Sequence, residues 1–509
     1  MNTRSSILLF LLCLLGTVTR LAYGLVYTPW LHNPDELSWE LLLLSDGFRY
    51  DQLIHYPHEG GSIVVSLVAQ LAAWLTDFRP LVVAAVLLDL LVRWFQLHVA
   101  HRVFNLNVAL IFGAWQVFAS PALLPWGTLN SGLHALAGVF PFVLLLLLAQ
   151  WRTATRYQVL TGALVGLAIW FSYTNLVLVP VYLLFVVRHR SGTWPGLLAM
   201  VLVLAAHLMV REVADAGFHL RPLETSSIRG TALALDQAST WKRLLHLFSP
   251  LTSAAVASPE PANAFRWLRY AYLAFVVMAL GGWVVGWRRE RPRAAVAVAA
   301  LVPLLFLVAY ALSPFHAEAH TGNHIVFRHL AYVLPFASLL LLVGLWYLRL
   351  RTVLVPLFLL IGMSATALLF RTEPIAPRPL TQQATGWVLG TKLGHDPSRV
   401  SAILPDETSR CSALTQGVGW GITASLLQEK MWQDSLVSQP LLDTLAALLA
   451  AYPEKYQADL EYGVRMAFSD SVSPTLDSTL LEKLWPTPME VLPDAAPDSL
   501  RHDEDGMNL

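Results

Sequence analysis

The sequence predicts an all-α polytopic membrane protein of about 11–13 transmembrane helices, followed by a small, mainly helical extracytoplasmic C-terminal domain. Three observations lead there. The 509 residues are 56% hydrophobic and only 13% charged, with a mean hydropathy of +0.54, far from the balance of a soluble domain. Apolar runs such as Leu133–Ala149, Ala294–Leu312 and Val353–Phe370 recur along the chain, each long enough to cross a hydrocarbon core about 30 Å thick as a helix. The zero net charge also hides an asymmetry: Arg371–Leu509 holds 10 Lys/Arg against 19 Asp/Glu, leaving 24 against 15 for the rest. An acidic tail with no clustered cationic face excludes nucleic acid as a partner.

The first run follows Arg4 and has the outline of a secretory signal. Arg20 interrupts it and LAYGLVY continues it, so a retained span over Ser6–Pro29 is expected, with Arg20 snorkelling to the headgroups near its outer end. Later spans are expected near 61–77, 80–99, 107–123, 131–149, 157–172, 174–187, 195–211, 267–287, 294–312, 328–348 and 352–370. Basic loops stay cytoplasmic, and HR at 101–102, QWRTATR at 150–156, RHR at 188–190, WRRERPR at 287–293 and RLR at 349–351 agree in parity. The first loop, 30–60, then lies outside only if 61–77 or 80–99 is re-entrant or interfacial; the alternative is a parity shifted by one span.

These spans form a membrane domain over 1–370, with a large outer loop at 212–266. The tail from 371 to 485 loses the long apolar runs, gains Pro, Asp and Glu, and is expected to be extracytoplasmic, with a helical pattern at LLDTLAALLAAY and a disordered acidic end over 486–509. A faint echo links QGVGWGI at 416–422 with EYGVRMA at 461–467. Cys13 and Cys411, the two cysteines, fall in different compartments on this topology, so no disulfide is expected.

Candidate chemistry concentrates in the outer segments. HNPDELSWELLLL places Asp35 and Glu36 just after the first span, where ELSWELLLL reads as a short interfacial helix. One reading is a helix start, with Asn33 or Asp35 as cap and acids favoured by the dipole. The other is a general base for an acceptor hydroxyl, or a ligand for a divalent cation, at the depth of a lipid headgroup. In FHAEAHTGNHIVFRH, His316, His320 and His324 share a helical face, but Pro314, Gly322 and Asn323 oppose a continuous helix, so solvated loop histidines compete with a metal site. Asp89 and Arg93, four apart in LLDLLVRWF, are expected to neutralise each other inside the membrane.

A first span with Arg20 near its end, then Asp35-Glu36, then Tyr56-Pro57-His58 opening another apolar run, resembles membrane glycosyltransferases of the GT-C superfamily. ASPALLPWGTLNSGLHALAGVFPF, LVGLAIWFSYTNLVLVPVYLL and FRHLAYVLPFASLLLLVG extend the resemblance over about residues 1–370; the tail lies outside it. The resemblance implies transfer of a sugar from a polyprenyl-phosphate donor to a glycan, lipid or protein acceptor on the outer face of a bacterial cytoplasmic membrane. It implies Asp35 as catalytic base with Glu36 beside it or as a metal ligand, and Arg328 and His58 as ligands of the donor phosphate. Many relatives carry a second acid in the outer loop before the span at 131–149, where PWGTLNSGLH offers only Asn130. A catalytically inactive relative acting as an assembly partner is therefore one rival reading, and a transporter or flippase built on Asp89 and Arg93 is another.

Overall fold

The computed structural model describes residues 3–27, 60–75, 80–118, 134–151, 154–188, 194–214, 266–289, 294–312, 330–369, 393–404, 412–431 and 439–471, with a few isolated positions between 383 and 390. Among the described residues every regular element is helical. The chain divides into two compact units, Met1–Ala376 and Pro377–Leu509.

The first unit contains α1 (Thr3–Tyr27), α2 (Gly61–Leu75), α3 (Pro80–Val103), α4 (Leu106–Phe118), the single turn α5 (His134–Ala137), α6 (Phe140–Ala149), α7 (Thr155–Phe171), a 3-10 turn (Tyr173–Val177), α8 (Leu178–Arg188), α9 (Trp194–Ala214), α10 (Arg266–Arg289), α11 (Ala294–Ala299), α12 (Leu301–Leu312), α13 (Leu334–Tyr347) and α14 (Arg351–Leu369). Proline sets many of these limits. Pro80, Pro141, Pro195 and Pro335 stand in first turns, where the missing N–H costs nothing. The run expected at 131–149 is split by Pro141, and the run at 294–312 is divided at Ala300 ahead of Pro303. By length and composition α3 passes the test for a full membrane crossing among the described residues; α2, α4, α6, α13 and others are shorter apolar helices.

The helix surfaces show what surrounds this unit. α1 buries Leu9 and Cys13 while exposing Ile7, Phe10, Leu11, Leu14 and Val18, and α14 buries Val355 and Phe358 while exposing Val353, Leu357 and Leu360. A helix that is apolar on its buried face and equally apolar on its exposed face suits lipid, not water. Lipid tails are as apolar as the helices, so close van der Waals approach holds such a bundle together. α7 meets α9 at Gly162 and Gly196, where a Cβ on Gly162 would strike the Gly196 backbone. α10 meets α13 in the same way at Gly282 and Gly344, and Trp283 Nε1 donates to Leu340 O at 2.9 Å beside them. The centre is aromatic: Phe112 of α4 stacks on Trp115 and Phe142, and Phe142 meets Phe336 of α13 edge-on, with centroids 5.1 Å apart.

The basic segments lie at helix ends. Trp151, just past α6, packs edge-on against Tyr157 of α7 and Phe185 of α8, so the segments around Arg156 and Arg188 share one end of the bundle. Arg351 stacks on Trp346 at the α13–α14 turn.

The second unit contains α15 (Pro397–Ile403), α16 (Ser412–Met431), α17 (Gln439–Ala450) and α18 (Glu454–Ser471). Asp396 caps α15, accepting from Arg399 N at 3.2 Å and Ser398 Oγ at 2.7 Å. Those bonds, that from Ser398 first, hold its carboxyl below the usual range. The echo between 416–422 and 461–467 has a structural meaning: Gly419 lies against the backbone of Leu460, and Gly463 against that of Gln416. Val418, Leu460 and Val464 are buried along this contact, and Tyr452 and Tyr456 donate to Gly394 O and Leu404 O.

Candidate functional site

Asp35, Glu36, His58, Asn130, Arg328, His316, His320 and His324 lie outside the described residues. What the structure fixes is the placement of the residues that follow their segments in the chain. Gly60, two residues after His58, donates its N–H to Trp170 O at 2.8 Å, at the last turn of α7, and rests on the Trp170 ring. Phe171, the next residue, packs on Phe140 with centroids 5.4 Å apart and joins a buried group containing Val65, Ala69, Leu81, Ala84 and Leu136. Leu136 and Gly138 follow Asn130 by six and eight residues. Gly138 lies against the carbonyl of Tyr332, and Leu330 and Tyr332, both fully buried, follow Arg328 by two and four residues. A chain of contacts therefore links the residues that resume the chain after these three segments: Gly60 with Trp170, Phe171 with Phe140 and Leu136, and Gly138 with Tyr332. Only glycine allows the Gly60–Trp170 and Gly138–Tyr332 approaches, because a side chain at either would collide with the ring or the carbonyl.

A polar seam runs between α1, α3 and α4. Asp89 and Arg93 form the expected ion pair, Oδ2 to Nη2 at 2.6 Å, with side chains 10% and 3% exposed. Gly16 of α1 leaves the space that Arg93 Nη1 occupies, and Cys13 and Thr17 flank it. Thr17 bonds back to Cys13 O at 3.0 Å. One turn along α3, Gln96 Oε1 accepts from Gln116 Nε2 of α4 at 2.6 Å, and Gln96 Nε2 donates to Gly138 O at 3.3 Å. The seam thus connects the ion pair's helix to Gly138, just ahead of α6.

The pair is a structural neutralisation. Removing one partner from a buried pair strands a charge at a cost of about 3–5 kcal/mol, whereas replacing both by apolar residues is often neutral. Arg93→Leu is therefore expected to lower the thermal midpoint in detergent far more than the double variant Asp89→Leu/Arg93→Leu. Equal loss in both would assign Arg93 a role other than balancing Asp89.

Gln96 and Gln116 had no signal in the sequence, because they meet across 20 positions and act on a carbonyl 42 positions away. Among the described residues no group of three or more His, Cys, Asp or Glu is gathered to hold a metal ion.

No protein-family model matches the chain, and no curated protein matches it. Among solved structures the chain is similar to the apo-state crystal structure of ArnT from Cupriavidus metallidurans, at 16% sequence identity and a TM-score of 0.42, over 88% of this chain and 75% of that one.

Proposed function

We propose that the protein is a membrane glycosyltransferase of the GT-C type, with about 11–13 spans, that moves a sugar from a polyprenyl-phosphate donor to a glycan, lipid or protein acceptor. The observation that carries this reading is the chain of contacts among the residues that follow the three candidate segments. Gly60, Leu136 to Gly138, and Leu330 to Tyr332 follow the segments bearing Asp35, Glu36 and His58, then Asn130, then Arg328, and they are linked through Trp170, Phe171 and Phe140. A transfer enzyme needs an acceptor base and a donor-phosphate ligand side by side although they are distant in sequence, and this linkage supports that arrangement. Transport through Asp89 and Arg93 is not favoured, since the two are buried and paired with each other.

Asp35 would take the proton of the acceptor hydroxyl as its oxygen attacks the sugar's anomeric carbon, and the bond to the lipid phosphate breaks with its electrons on the phosphate oxygen. Arg328 and His58 would hold that phosphate. Glu36 would support Asp35, or hold a divalent cation together with it; no step here requires a metal.

The test is release of polyprenyl phosphate and labelling of acceptor by full-length protein in detergent, supplied with a panel of synthetic polyprenyl-phosphate sugars and envelope glycolipid acceptors. Absence of transfer with every donor, in protein that is folded and monodisperse, would overturn the reading and leave the inactive assembly partner in its place.

The same reading places the N-terminus in the cytoplasm and the second unit outside a bacterial cytoplasmic membrane, because the basic segments stay inside. Alkaline phosphatase fused after Gly390 should be active, and fusions after Arg190 and Arg289 inactive. The reverse pattern would refute this topology.

A further inference from the structure

Residues 131–149 form one apolar run, yet the helix is interrupted between His134–Ala137 and Phe140–Ala149. Pro141 has no N–H to offer Ala137 O. The Phe142 N–H bonds Val139 O at 3.0 Å rather than Gly138 O, and the Val139 N–H bonds Leu136 O at 3.1 Å. The Gly138 carbonyl thus loses its usual helical donor inside an apolar bundle, where a lone carbonyl is costly. Gln96 supplies the replacement from α3, and Gln116 of α4 holds Gln96 in turn. Both amides are buried, 1% and 2% exposed. On its other side Gly138 meets Tyr332 O, which a Cβ would approach to 2.7 Å.

We propose that Gln96 and Gln116 are positioning residues: a two-amide relay that holds the α5–α6 break open and, through Gly138 and Tyr332, sets the position of the chain at Leu330 to Tyr332, just after Arg328. This rests on the glycosyltransferase reading for its catalytic consequence, but the coupling itself does not. Interhelical hydrogen bonds between side chains in membrane bundles add little stability on average. Two amides buried at a helix break therefore matter through the geometry they impose on that carbonyl.

The experiment uses full-length protein in detergent, comparing wild type, Gln96→Leu and the double variant Gln96→Leu/Pro141→Ala. Backbone amide exchange is followed over 134–144 and 330–336, alongside transfer kinetics. Gln96→Leu should raise exchange at least about tenfold in both regions together, since they share one opening. It should lower kcat by about 10²-fold, the scale of a misplacement near 1 Å, with donor KM much less affected. Adding Pro141→Ala lets residues 134–144 become one helix that satisfies Gly138 O, so protection there should return while kcat stays low. Exchange confined to 138–142, wild-type kinetics in Gln96→Leu, or recovery of both protection and kcat in the double variant would each overturn the proposal. If wild type transfers no sugar, the glycosyltransferase reading falls and the exchange pattern alone decides: coupled opening upholds the relay, local opening overturns it. Should Gln96→Leu fail to fold, Gln116→Leu, which leaves the Gln96–Gly138 bond in place, must show the same coupled pattern at smaller amplitude or the relay is wrong.

Discussion

Asp35→Asn is expected to abolish sugar transfer, with a loss of about 10²–10⁴-fold or more, while leaving membrane insertion and thermal stability unchanged. The amide keeps the size of the carboxylate and its ability to accept a hydrogen bond from a backbone N–H, so a helix cap at Asp35 would survive the change. What it loses is the capacity to take a proton at neutral pH. Glu36→Gln should cost less if Glu36 only supports its neighbour, and as much if both carboxylates hold one cation. The measurement is initial rate of acceptor labelling at saturating donor, with variants matched for monodispersity. A wild-type rate in Asp35→Asn would reduce the Asp35-Glu36 stretch to a helix start beside the membrane and remove the central residue from the proposed mechanism.

The sequence shows the helical membrane character clearly, because lipid rewards apolar residues on every side of a helix and leaves an uninterrupted run as the signature. The exposed apolar faces of α1 and α14 are the structural form of that signal. Pairing within one helix was legible too: Asp89 and Arg93 stand one turn apart, and burial leaves each no better partner than the other. Contacts between helices were not. Gly162 and Gly196 read as unremarkable small residues until α7 and α9 are seen to touch at them. The run at 131–149 looked continuous because hydropathy does not register the N–H that Pro141 lacks, and nothing near it in sequence announces that Gln96 will satisfy Gly138 O. The faint likeness of 416–422 and 461–467 marked real neighbours, but only the fold shows that their glycines let two backbones meet. As for the candidate site, Asp35, Glu36, His58 and Arg328 come from the sequence and its family resemblance, while the structure supplies the contacts of Gly60 with Trp170 and of Gly138 with Tyr332 that follow their segments.

Arg328→Lys is the counterpart test on the donor side. A polyprenyl phosphate keeps its tail in the bilayer and its anionic head at the surface, so its ligand must come from a segment that enters the bundle near that depth. Arg328 stands two residues before Leu330, which is buried ahead of α13. A guanidinium presents two parallel N–H donors to a phosphate and can hold it as charge builds on the leaving oxygen, whereas an ammonium offers the same charge without the fork. Loss of one bidentate charge-assisted contact of this kind is worth about 1.5–3 kcal/mol, which is about 10- to 150-fold in kcat/KM for the donor. His58→Ala should add a smaller loss on the same parameter, and His316→Ala and His320→Ala less still. The assay is transfer from a synthetic polyprenyl-phosphate sugar at varied donor concentration, with and without chelator. Unchanged donor kinetics in Arg328→Lys would take Arg328 out of the site. A complete loss on chelation, restored by one divalent metal and mimicked by His316→Ala and His320→Ala, would transfer the phosphate-binding role to a metal held by His316, His320 and His324.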